Sequence, residues 1–367
     1  MPLIPLSLAR RAGPALRPLR ALAARGWLQE AELDCLLRHV HPVLRLNRVF
    51  ARVDARRWVA DDMLALSLRT NGNALGWRPG QHVRLYLELD GVRQGRSYSL
   101  VAVQPDGRIE LAVKRQAGGR LSNWLLDRLE VGAVLELDSA QGELDWPQDA
   151  SSVLLLAAGS GITPLLGLLR QALACGFSAP VTLLHYVRQR AQRAFSEELQ
   201  ALMARHPNVQ VRWAISGEAP KADELAGRFR ADHLDGVPAH SALACGPHGF
   251  VADVHDWWQA APRVGRLQVE AFTPPAPSVE TGEAVRLRFA RSHQEVPGSS
   301  VANLLEQAEA HGLRPAHGCR QGICAGCTSQ LLAGSVRDLR TGALTHGPGL
   351  PIRLCVSAPV GDVELDL

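Results

Sequence analysis

Four cysteines near the C-terminus constrain the fold of this chain more than any other feature of its sequence. Cys319, Cys324 and Cys327 form a C-x4-C-x2-C loop, and Cys355 follows much further along. Four thiolates that converge from one loop and one distant strand are what a [2Fe-2S] cluster needs. Glycines alternate with the loop cysteines and let backbone N–H groups approach the cluster sulfurs. The sequence therefore predicts that these four cysteines ligate a [2Fe-2S] cluster.

A zinc site, buried thiols and disulfides are the alternative uses of these cysteines. Zinc sites usually combine a C-x2–4-C unit with a second ligand pair of similar spacing, which this sequence lacks. The other cysteines, Cys35, Cys175 and Cys245, are odd in number and do not resemble a secreted disulfide framework. We therefore expect a reducing, cytoplasmic compartment.

The composition is typical of a globular chain with two or three domains. Its 367 residues are 46% hydrophobic and 21% charged. The formal net charge of +4 is too small to indicate binding to nucleic acid.

Residues 1–45 are predicted to form an N-terminal extension that is partly helical. Residues 1–26 contain arginines at five positions and no acid, and they lack an apolar run long enough to span a bilayer. Such a segment is compatible with a transit peptide, with a cover on a neighbouring domain, or with contact to the inner face of the membrane. These alternatives stay open.

Short alternating strands predict an antiparallel β-barrel over residues 46–150. Turn residues separate the strands, and one helical stretch interrupts them. The strands are predicted at Val49–Val53, Met63–Leu68, His82–Leu89, Ser97–Val103, Ile109–Lys114 and Val134–Leu137, and the helix at Leu121–Leu129.

Residues 151–272 alternate between strands and helices, which predicts a doubly wound α/β sheet of five parallel strands. The first strand is a continuous apolar run, as expected of a strand that is buried on both faces. The strands are predicted at Val153–Ala158, Val181–Tyr186, Val209–Ile215, Ser241–Cys245 and Arg266–Val269, and the helices at Pro164–Ala174, Phe195–Ala204, Ala222–Phe229 and Phe250–Trp258.

Residues 273–279 are rich in proline and predict an extended linker. Residues 280–367 hold the four cysteines and are predicted to form a small α+β domain. Its strands are predicted at Val285–Ala290, Thr328–Leu332 and Val363–Leu367, and its helix at Val301–His311.

The segment Arg96-Ser97-Tyr98-Ser99 carries a resemblance to a known family. It is similar to the flavin-binding Arg-x-Tyr-Ser motif of the ferredoxin–NADP reductases. The resemblance implies that Arg96 pairs with the cofactor pyrophosphate, that Tyr98 stacks on the isoalloxazine, and that Ser99 hydrogen-bonds near flavin N5, with Ser97 beside them. A guanidinium fork suits a phosphate, and an aromatic face suits a flat ring.

The segment from Lys114 to Ser122 opens the barrel helix with glycines. Gly118 and Gly119 leave backbone N–H groups facing whatever lies above the helix N-terminus, where a pyrophosphate would bind. The segment resembles the Gly-x-x-Ser pattern of the same family, which adds Lys114, Leu121 and Ser122 to the cofactor-binding residues. A pyrophosphate favours FAD over FMN, although the similar phthalate dioxygenase reductases use FMN with the same domain order.

The loop Gly159-Ser-Gly161-Ile-Thr163-Pro164 joins the first buried strand to its helix. It resembles the nicotinamide-nucleotide loop of the family, in which these residues bind the cofactor. Glycines permit close approach of a pyrophosphate, and the helix N-terminus supplies donors. Pro164 stands where a Rossmann motif would have its third glycine, and proline is favourable in the first helical turn.

Arg188 and Arg190, with Arg193 further on, follow the next predicted strand. Dehydrogenases that prefer NAD usually place an acid there, whereas arginine accommodates a 2′-phosphate. The sequence therefore predicts NADPH rather than NADH as the substrate. A solvated loop in an arginine-rich chain is the alternative.

Cys245-Gly246-Pro247 ends the fourth predicted strand, and Glu270 lies near the end of the same domain. The family places a Cys-Gly at the nicotinamide pocket and often a glutamate near the flavin. The resemblance therefore implies that Ser99, Cys245 and Glu270 are the catalytic residues. A structural core cysteine is the alternative for Cys245.

The order of a flavin barrel, a nucleotide sheet and a C-terminal ferredoxin-like β-grasp domain resembles the reductases of oxygenases and acyl-CoA desaturases. It implies an NAD(P)H-dependent oxidoreductase that passes electrons through FAD and a [2Fe-2S] cluster to an oxygenase or a fatty-acyl desaturase. The segment Leu37–Arg48 looks most like the desaturase reductases. The alternatives are the reductase of a soluble aromatic-ring oxygenase and a redox sensor whose cluster is structural.

Overall fold

The computed structural model describes residues 4–12, 15–89, 92–260, 265–273, 282–318, 320, 322, 326–340 and 342–367. Its internal contacts divide the chain into two units. The first unit comprises Met1–Gly246 and Phe250–Glu270, and the second comprises Pro247–Gly249 and Ala271–Leu367. The predicted linker lies outside the described residues from position 274 onward.

Three short helices precede the barrel: α1 (Leu6–Arg11), α2 (Arg17–Ala24) and α3 (Glu30–Val40). Their apolar side chains pack with Leu44 and Leu46 in a small separate core. Polar contacts reinforce this packing, since Arg20 Nε donates to the carbonyl of Leu46 at 2.9 Å. Among the described residues, no helix is both long and apolar enough to cross a bilayer.

A closed antiparallel barrel follows in the strand order β1-β2-β5-β4-β3-β6. The predicted barrel is therefore confirmed, and β4 begins earlier than the sequence indicated. Alternating apolar residues fill the interior, and helix α4 closes it with Leu121 and Leu125. The elements are β1 (Val49–Ala60), β2 (Met63–Thr70), β3 (His82–Leu89), β4 (Val92–Val103), β5 (Arg108–Lys114), α4 (Arg120–Arg128) and β6 (Val134–Leu137).

The nucleotide domain is a sheet in the order β10-β9-β8-β7-β11-β12, which confirms the doubly wound prediction. Its central strands β9, β8, β7 and β11 are parallel. Strands β7 and β8 are almost wholly buried, as their continuous apolar runs indicated. The elements are β7 (Val153–Ala158), α5 (Ile162–Ala174), β8 (Val181–Val187), α6 (Ser196–Arg205), β9 (Val209–Ile215), β10 (Leu225–Ala226), β11 (Ser241–Gly246), α7 (His248–Gln259) and β12 (Leu267–Ala271).

The predicted helix over Ala222–Phe229 is wrong. The chain there forms the short edge strand β10, which pairs in parallel with Ala214 and Ile215. Gly227 follows with φ at +89° and donates its N–H to the carbonyl of Ile215. A left-handed glycine in the middle of so short a segment ends any helix, so the apolar residues dock on the sheet edge instead.

Helix α5 holds the barrel and the nucleotide sheet together within the first unit. A Cβ on Gly167 would lie 2.8 Å from the carbonyl oxygen of Leu100, so only glycine permits this approach to β4. One turn further, Arg170 Nη1 lies 2.6 Å from Glu110 of β5, and its Nε lies 2.6 Å from Glu198 of α6. The pKa of Arg170 is raised despite the opposing effect of burial, because both carboxylates favour its charged form.

The second unit is a small α+β domain, as predicted. One sheet has the order β14-β13-β20-β15-β18, with β13 and β20 parallel, and another has the order β17-β16-β19. Helix α8 packs Leu304 and Leu305 against a core that includes Phe289 and Leu331. The elements are β13 (Ala284–Phe289), β14 (Gln294–Ser299), α8 (Leu304–Ala310), β15 (Thr328–Ala333), β16 (Ser335–Asp338), β17 (Leu344–His346), β18 (Leu350–Arg353), β19 (Ser357–Pro359) and β20 (Val363–Leu365).

We predict that Arg170→Met lowers the free energy of unfolding of the first unit by about 2–4 kcal/mol, because two half-buried carboxylates lose their shared cation. Chemical denaturation followed by circular dichroism measures the change. The control is Arg108→Met, which breaks the exposed pair with Asp106 and should cost less than about 1 kcal/mol. Equal losses in the two variants would contradict the joining role of Arg170.

Candidate functional site

The predicted flavin residues lie together on β4, the strand that faces helix α5. Tyr98 pairs with Val83 of β3 and packs on the barrel core, and burial raises the pKa of its hydroxyl. Ser99 is buried opposite His82 in the same strand pair. The hydroxyl oxygen of Ser97 is also buried, and it has no hydrogen-bond partner among the described residues.

Helix α4 begins beside this strand with the geometry of an anion site. Gly119 is its N-cap, no side chain caps the helix within the described residues, and its first turn has no acid. A Cβ on Gly119 would lie 2.5 Å from Ser122 Oγ, so the glycine lets this hydroxyl reach the helix N-terminus. A helix N-terminus without a side-chain cap, together with a hydroxyl, fits a pyrophosphate. The side chain of Leu121 lies in the barrel core, so its predicted contact with the cofactor would come from its backbone N–H.

The glycine loop of the nucleotide sheet is equally tight. A Cβ on Gly161 would overlap the carbonyl oxygen of Cys245 at the end of β11. Thr163 Oγ1 donates to the carbonyl of Ser160 at 2.9 Å and holds the turn into α5. Pro164 is buried in the first turn, where its missing N–H is not needed. Helix α5 also begins without a side-chain cap among the described residues, so its N-terminus fits a second phosphate group.

Two side chains next to this loop, a neutral histidine and a lysine, determine the charge around it. His185 is fully buried in β8, and its Nε2 lies 3.0 Å from the carbonyl of Gly159. Burial lowers the pKa of His185 to about 4, so the ring is neutral at pH 7 and Nε2 donates its hydrogen to that carbonyl. Lys114 approaches from the barrel, since a Cβ on Gly159 would lie 3.1 Å from its Nζ, and Asp62 Oδ2 lies 3.5 Å from the same atom.

The arginines after β8 have different surroundings. Arg188 is exposed, and no hydrogen bond or ion pair of its side chain is found in the described part of the chain. Arg190 is bound by acidic residues of the neighbouring loop, with its Nη2 2.8 Å from Glu224 and its Nη1 3.1 Å from Glu218. The sequence pattern predicted both arginines as ligands of the nucleotide. Arg190 is paired with carboxylates of the protein, whereas the guanidinium of Arg188 has no such partner among the described residues.

The three residues predicted to be catalytic are brought close to one another from the barrel and the sheet. Cys245 is fully buried at the end of β11, where burial and then the carboxylate of Glu270 raise the pKa of its thiol. Glu270 Oε1 lies 3.1 Å from His82 Nδ1, and His82 stands opposite Ser99. Gly246 is tight against Ala158, whereas Pro247 is exposed.

His82 lies in the segment Pro79-Gly80-Gln81-His82-Val83, which precedes the flavin motif, and the sequence pattern assigns it no role. It occupies a buried position at the start of β3, and its Nε2 has no hydrogen-bond partner among the described residues. The available signal was a titratable side chain at a core-facing position directly after Pro79-Gly80-Gln81. A buried polar group with unmet hydrogen-bonding capacity indicates a functional position.

Two of the four predicted cluster ligands lie within the described residues and are adjacent. Cys327 and Cys355 are both buried, and the N–H of Cys355 donates to Cys327 Sγ at 3.5 Å. The N–H of Gly322 donates to Cys355 Sγ at 3.2 Å, which is the contact expected around an iron–sulfur cluster. Hydrogen bonding with the Cys355 thiol lowers the pKa of Cys327 to about 6. Cys319 and Cys324 lie outside the described residues.

Comparison with known families agrees with all three parts of the chain. Residues 51–146 match the oxidoreductase FAD-binding domain, and residues 155–256 match the oxidoreductase NAD-binding domain. Residues 288–360 match the 2Fe-2S iron-sulfur cluster binding domain.

Two curated relatives and one solved structure cover most of the chain. An NADPH oxidoreductase of Mycobacterium tuberculosis is 31% identical over 364 residues, which are 96% of this chain and 93% of that protein. A component of the 1,2-phenylacetyl-CoA epoxidase of Escherichia coli is 28% identical, and the match covers 72% of this chain and 80% of that protein. The structure of phthalate dioxygenase reductase has the same fold, with a TM-score of 0.58, 23% identity, and coverage of 87% of this chain and 97% of that one.

We predict that Gly161→Ala raises the Kd for NADP⁺ at least about tenfold, because the new methyl group pushes the loop away from Cys245. Titration calorimetry on the flavin-loaded protein measures the Kd, and the flavin content should be unchanged. The matched control is Gly249→Ala, since a Cβ there meets no atom within 4 Å. A wild-type Kd in the Gly161 variant would show that the loop does not need this contact.

Proposed function

The chain belongs to the ferredoxin–NADP reductase superfamily, among the reductases with a C-terminal [2Fe-2S] domain, and on this premise we propose how its own residues carry out electron transfer. The protein is an NAD(P)H oxidoreductase of the ferredoxin reductase type with FAD and a [2Fe-2S] cluster. When bound, FAD would supply an acceptor for the hydride of NAD(P)H, and the [2Fe-2S] cluster would supply a carrier of single electrons. The observation that carries the proposal is the meeting of Ser99 and His82 of the barrel with Cys245 and Glu270 of the sheet.

The barrel residues bind and orient the flavin in this proposal. Arg96 and the N-terminus of α4, with Ser122, hold the pyrophosphate, because a guanidinium and the N–H groups of a helix N-terminus both favour a doubly anionic group. Tyr98 presents a ring that is anchored in the core, which fixes the plane of the isoalloxazine at little entropic cost. The buried hydroxyls of Ser97 and Ser99 supply hydrogen bonds at its edge.

The nucleotide pyrophosphate is assigned to the loop from Gly159 to Gly161. The N-terminus of α5 donates hydrogen bonds there, and the ammonium group of Lys114 provides the positive charge. Asp62 positions this ammonium group, and its own Oδ2 is held by Gln192 Nε2 at 2.8 Å. His185 keeps the carbonyl of Gly159 turned away from the phosphates, so that only donors face them.

Cys245, Glu270 and Ser99 are proposed to enclose the reacting ring of the nicotinamide. A thiol that stays protonated excludes water and adds no charge beside the ring. Glu270 supplies a carboxylate whose Oε1 lies 3.1 Å from His82 Nδ1, so the side chains of β3 and β12 meet at this position. The chain thereby fixes the geometry of hydride transfer, which needs the reacting atoms within about 3–3.5 Å of each other.

The proposed electron acceptor is the oxygenase or desaturase component of a two-component system. The Escherichia coli relative is named as part of an epoxidase, and phthalate dioxygenase reductase is named for its dioxygenase. The resemblance of Leu37–Arg48 supports a fatty-acyl desaturase as the specific partner. Contact with the inner membrane face is part of the same proposal, supported by the exposed Trp27 and Leu36 beside the basic N-terminal segment.

We predict that Cys324→Ser abolishes the electron spin resonance signal of the reduced cluster but leaves flavin binding unchanged, because the two cofactors bind to different domains. Stopped-flow absorbance should show flavin reduction by NADPH at the wild-type rate, while reduction of cytochrome c is lost. The control is Cys35→Ser, an exposed cysteine outside the motif, which should retain both activities. If the Cys324 variant passed electrons to cytochrome c normally, the flavin would be the exit point. A wild-type protein with no NADPH-driven reduction of cytochrome c would favour the redox sensor.

We also predict that kcat/KM is higher for NADPH than for NADH, and that Arg188→Ala removes most of this difference. One charge-assisted contact with a 2′-phosphate contributes about 1.5–2 kcal/mol, which corresponds to a loss of about 10–30-fold in the ratio. Steady-state kinetics with both nucleotides measure it. A ratio that does not change in the variant would remove Arg188 from the nucleotide site.

A further inference from the structure

The guanidinium of Arg190 is fully engaged by carboxylates of the loop that follows β9. Its Nε donates to Glu224 Oε1 at 2.8 Å and lies 3.0 Å from Oε2, and its Nη2 donates to Oε2 at 2.8 Å. Its Nη1 lies 3.1 Å from Glu218 Oε2, and its Nη2 also donates to the carbonyl of Ala219 at 2.5 Å. All three nitrogens therefore already contact an acceptor within the protein.

Glu224 is the centre of this arrangement. Its side chain has 0% exposure, and it also accepts from Arg193 Nη1 at 3.3 Å and from the backbone N–H of Lys221 at 2.8 Å. The hydrogen bond from Arg190 is the main reason that the pKa of Glu224 falls to about 2, so the group is ionised at pH 7. If Arg190 turned towards a ligand, it would leave a buried carboxylate with less compensation, which is strongly unfavourable.

Arg188 lies in the same loop, but its side chain is exposed to solvent. Its carbonyl accepts from the N–H of Gly217 at 2.7 Å, and a Cβ on Gly217 would lie 2.8 Å from that oxygen. The backbone is therefore fixed to the loop after β9 while the side chain projects into solvent at the carboxyl end of β8. This edge of a parallel sheet is where nucleotides bind, next to the glycine loop that follows β7.

We infer that Arg188 alone supplies the guanidinium for a 2′-phosphate, and that Glu224, with Glu218, sets the strength of the preference for NADPH by neutralising Arg190 and Arg193. The inference rests on the proposed nucleotide site and makes Glu224 a specificity-determining residue that does not touch the ligand. Three arginines and Lys221 against Glu218, Asp223 and Glu224 leave a net charge of +1 at this corner. Loss of one carboxylate doubles that charge, which favours NADP⁺ over NAD⁺ by long-range attraction.

The test measures the Kd of NADP⁺ and of NAD⁺ for the full-length holoprotein by titration calorimetry at low ionic strength. Glu224→Gln should raise the ratio of NADP⁺ affinity to NAD⁺ affinity by about three- to tenfold. Because the buried variant could be unstable, Glu218→Gln serves as a second variant, with a smaller rise in the same direction. Glu197→Gln is the matched control, since it removes an equal charge from α6 and Glu197 forms no ion pair in the described residues.

Arg190→Ala removes one positive charge from this corner and should lower the ratio of NADP⁺ affinity to NAD⁺ affinity about as much as Glu224→Gln raises it. The double variant Arg190→Ala/Glu224→Gln keeps the net charge of the corner and should retain the wild-type ratio, because Arg190 makes no phosphate contact. The inference is overturned if both glutamine variants at positions 224 and 218 keep the wild-type ratio, or if the ratio in the double variant falls about tenfold or more below the wild-type ratio, as loss of a phosphate contact would require. The same measurements test the proposed NADPH preference separately from the role of Glu224. If the wild-type protein binds NAD⁺ more tightly than NADP⁺, that preference is wrong, whereas the change in the ratio on removing Glu224 still decides the role of the carboxylate.

Discussion

The close approach of helix α5 to barrel strand β4 is the contact on which the rest of the first unit depends. Gly167 lets the helix backbone reach the carbonyl of Leu100, and Arg170 then ties the helix to carboxylates on both sides. This packing fixes β4 against the carboxyl edge of the nucleotide sheet. His82, which lies opposite Ser99, consequently reaches Glu270 of the sheet, and a hydride donor and acceptor need such proximity of the two domains.

The same approach explains the polar groups at the junction. Lys114 from the barrel reaches the glycine loop of the sheet, and His82 from the barrel reaches Glu270. His82 and Glu270 would lose each other as neighbours if the barrel and the sheet were separate, and Lys114 would keep Asp62 of the barrel but not the glycine loop. The site therefore forms only where the barrel and the sheet meet. In each of the pairs Lys114–Gly159 and His82–Glu270, one residue comes from the barrel and the other from the sheet.

The parts of the fold that the sequence predicted are those with strong periodicity. Apolar and polar residues alternate along the barrel strands, and β7 is a continuous apolar run. Both patterns identify strands from the sequence alone. The region around Glu224 was misread as a helix, because a left-handed glycine and docking on the edge of β9 override a weak apolar pattern. Strands β14 and β16–β19 were missed because they are short or contain proline and glycine, and tertiary pairing alone defines them. Similarly, His82 could not be assigned a role, since its partner Glu270 is far away in the sequence.

Arginine content limits what sequence reasoning can say about nucleotide specificity in this chain. Lysines occur at only two of the 40 basic positions, so an arginine after β8 carries little information by itself. Arg20, Arg170 and Arg190 all have structural partners, and these partners come from distant parts of the chain. An arginine is informative about a ligand when its guanidinium lacks an internal acceptor, and near the nucleotide loop this criterion selects Arg188. In the proposed site, specificity depends on which carboxylates pair with the neighbouring arginines, and only the packing of the β9 loop determines that pairing.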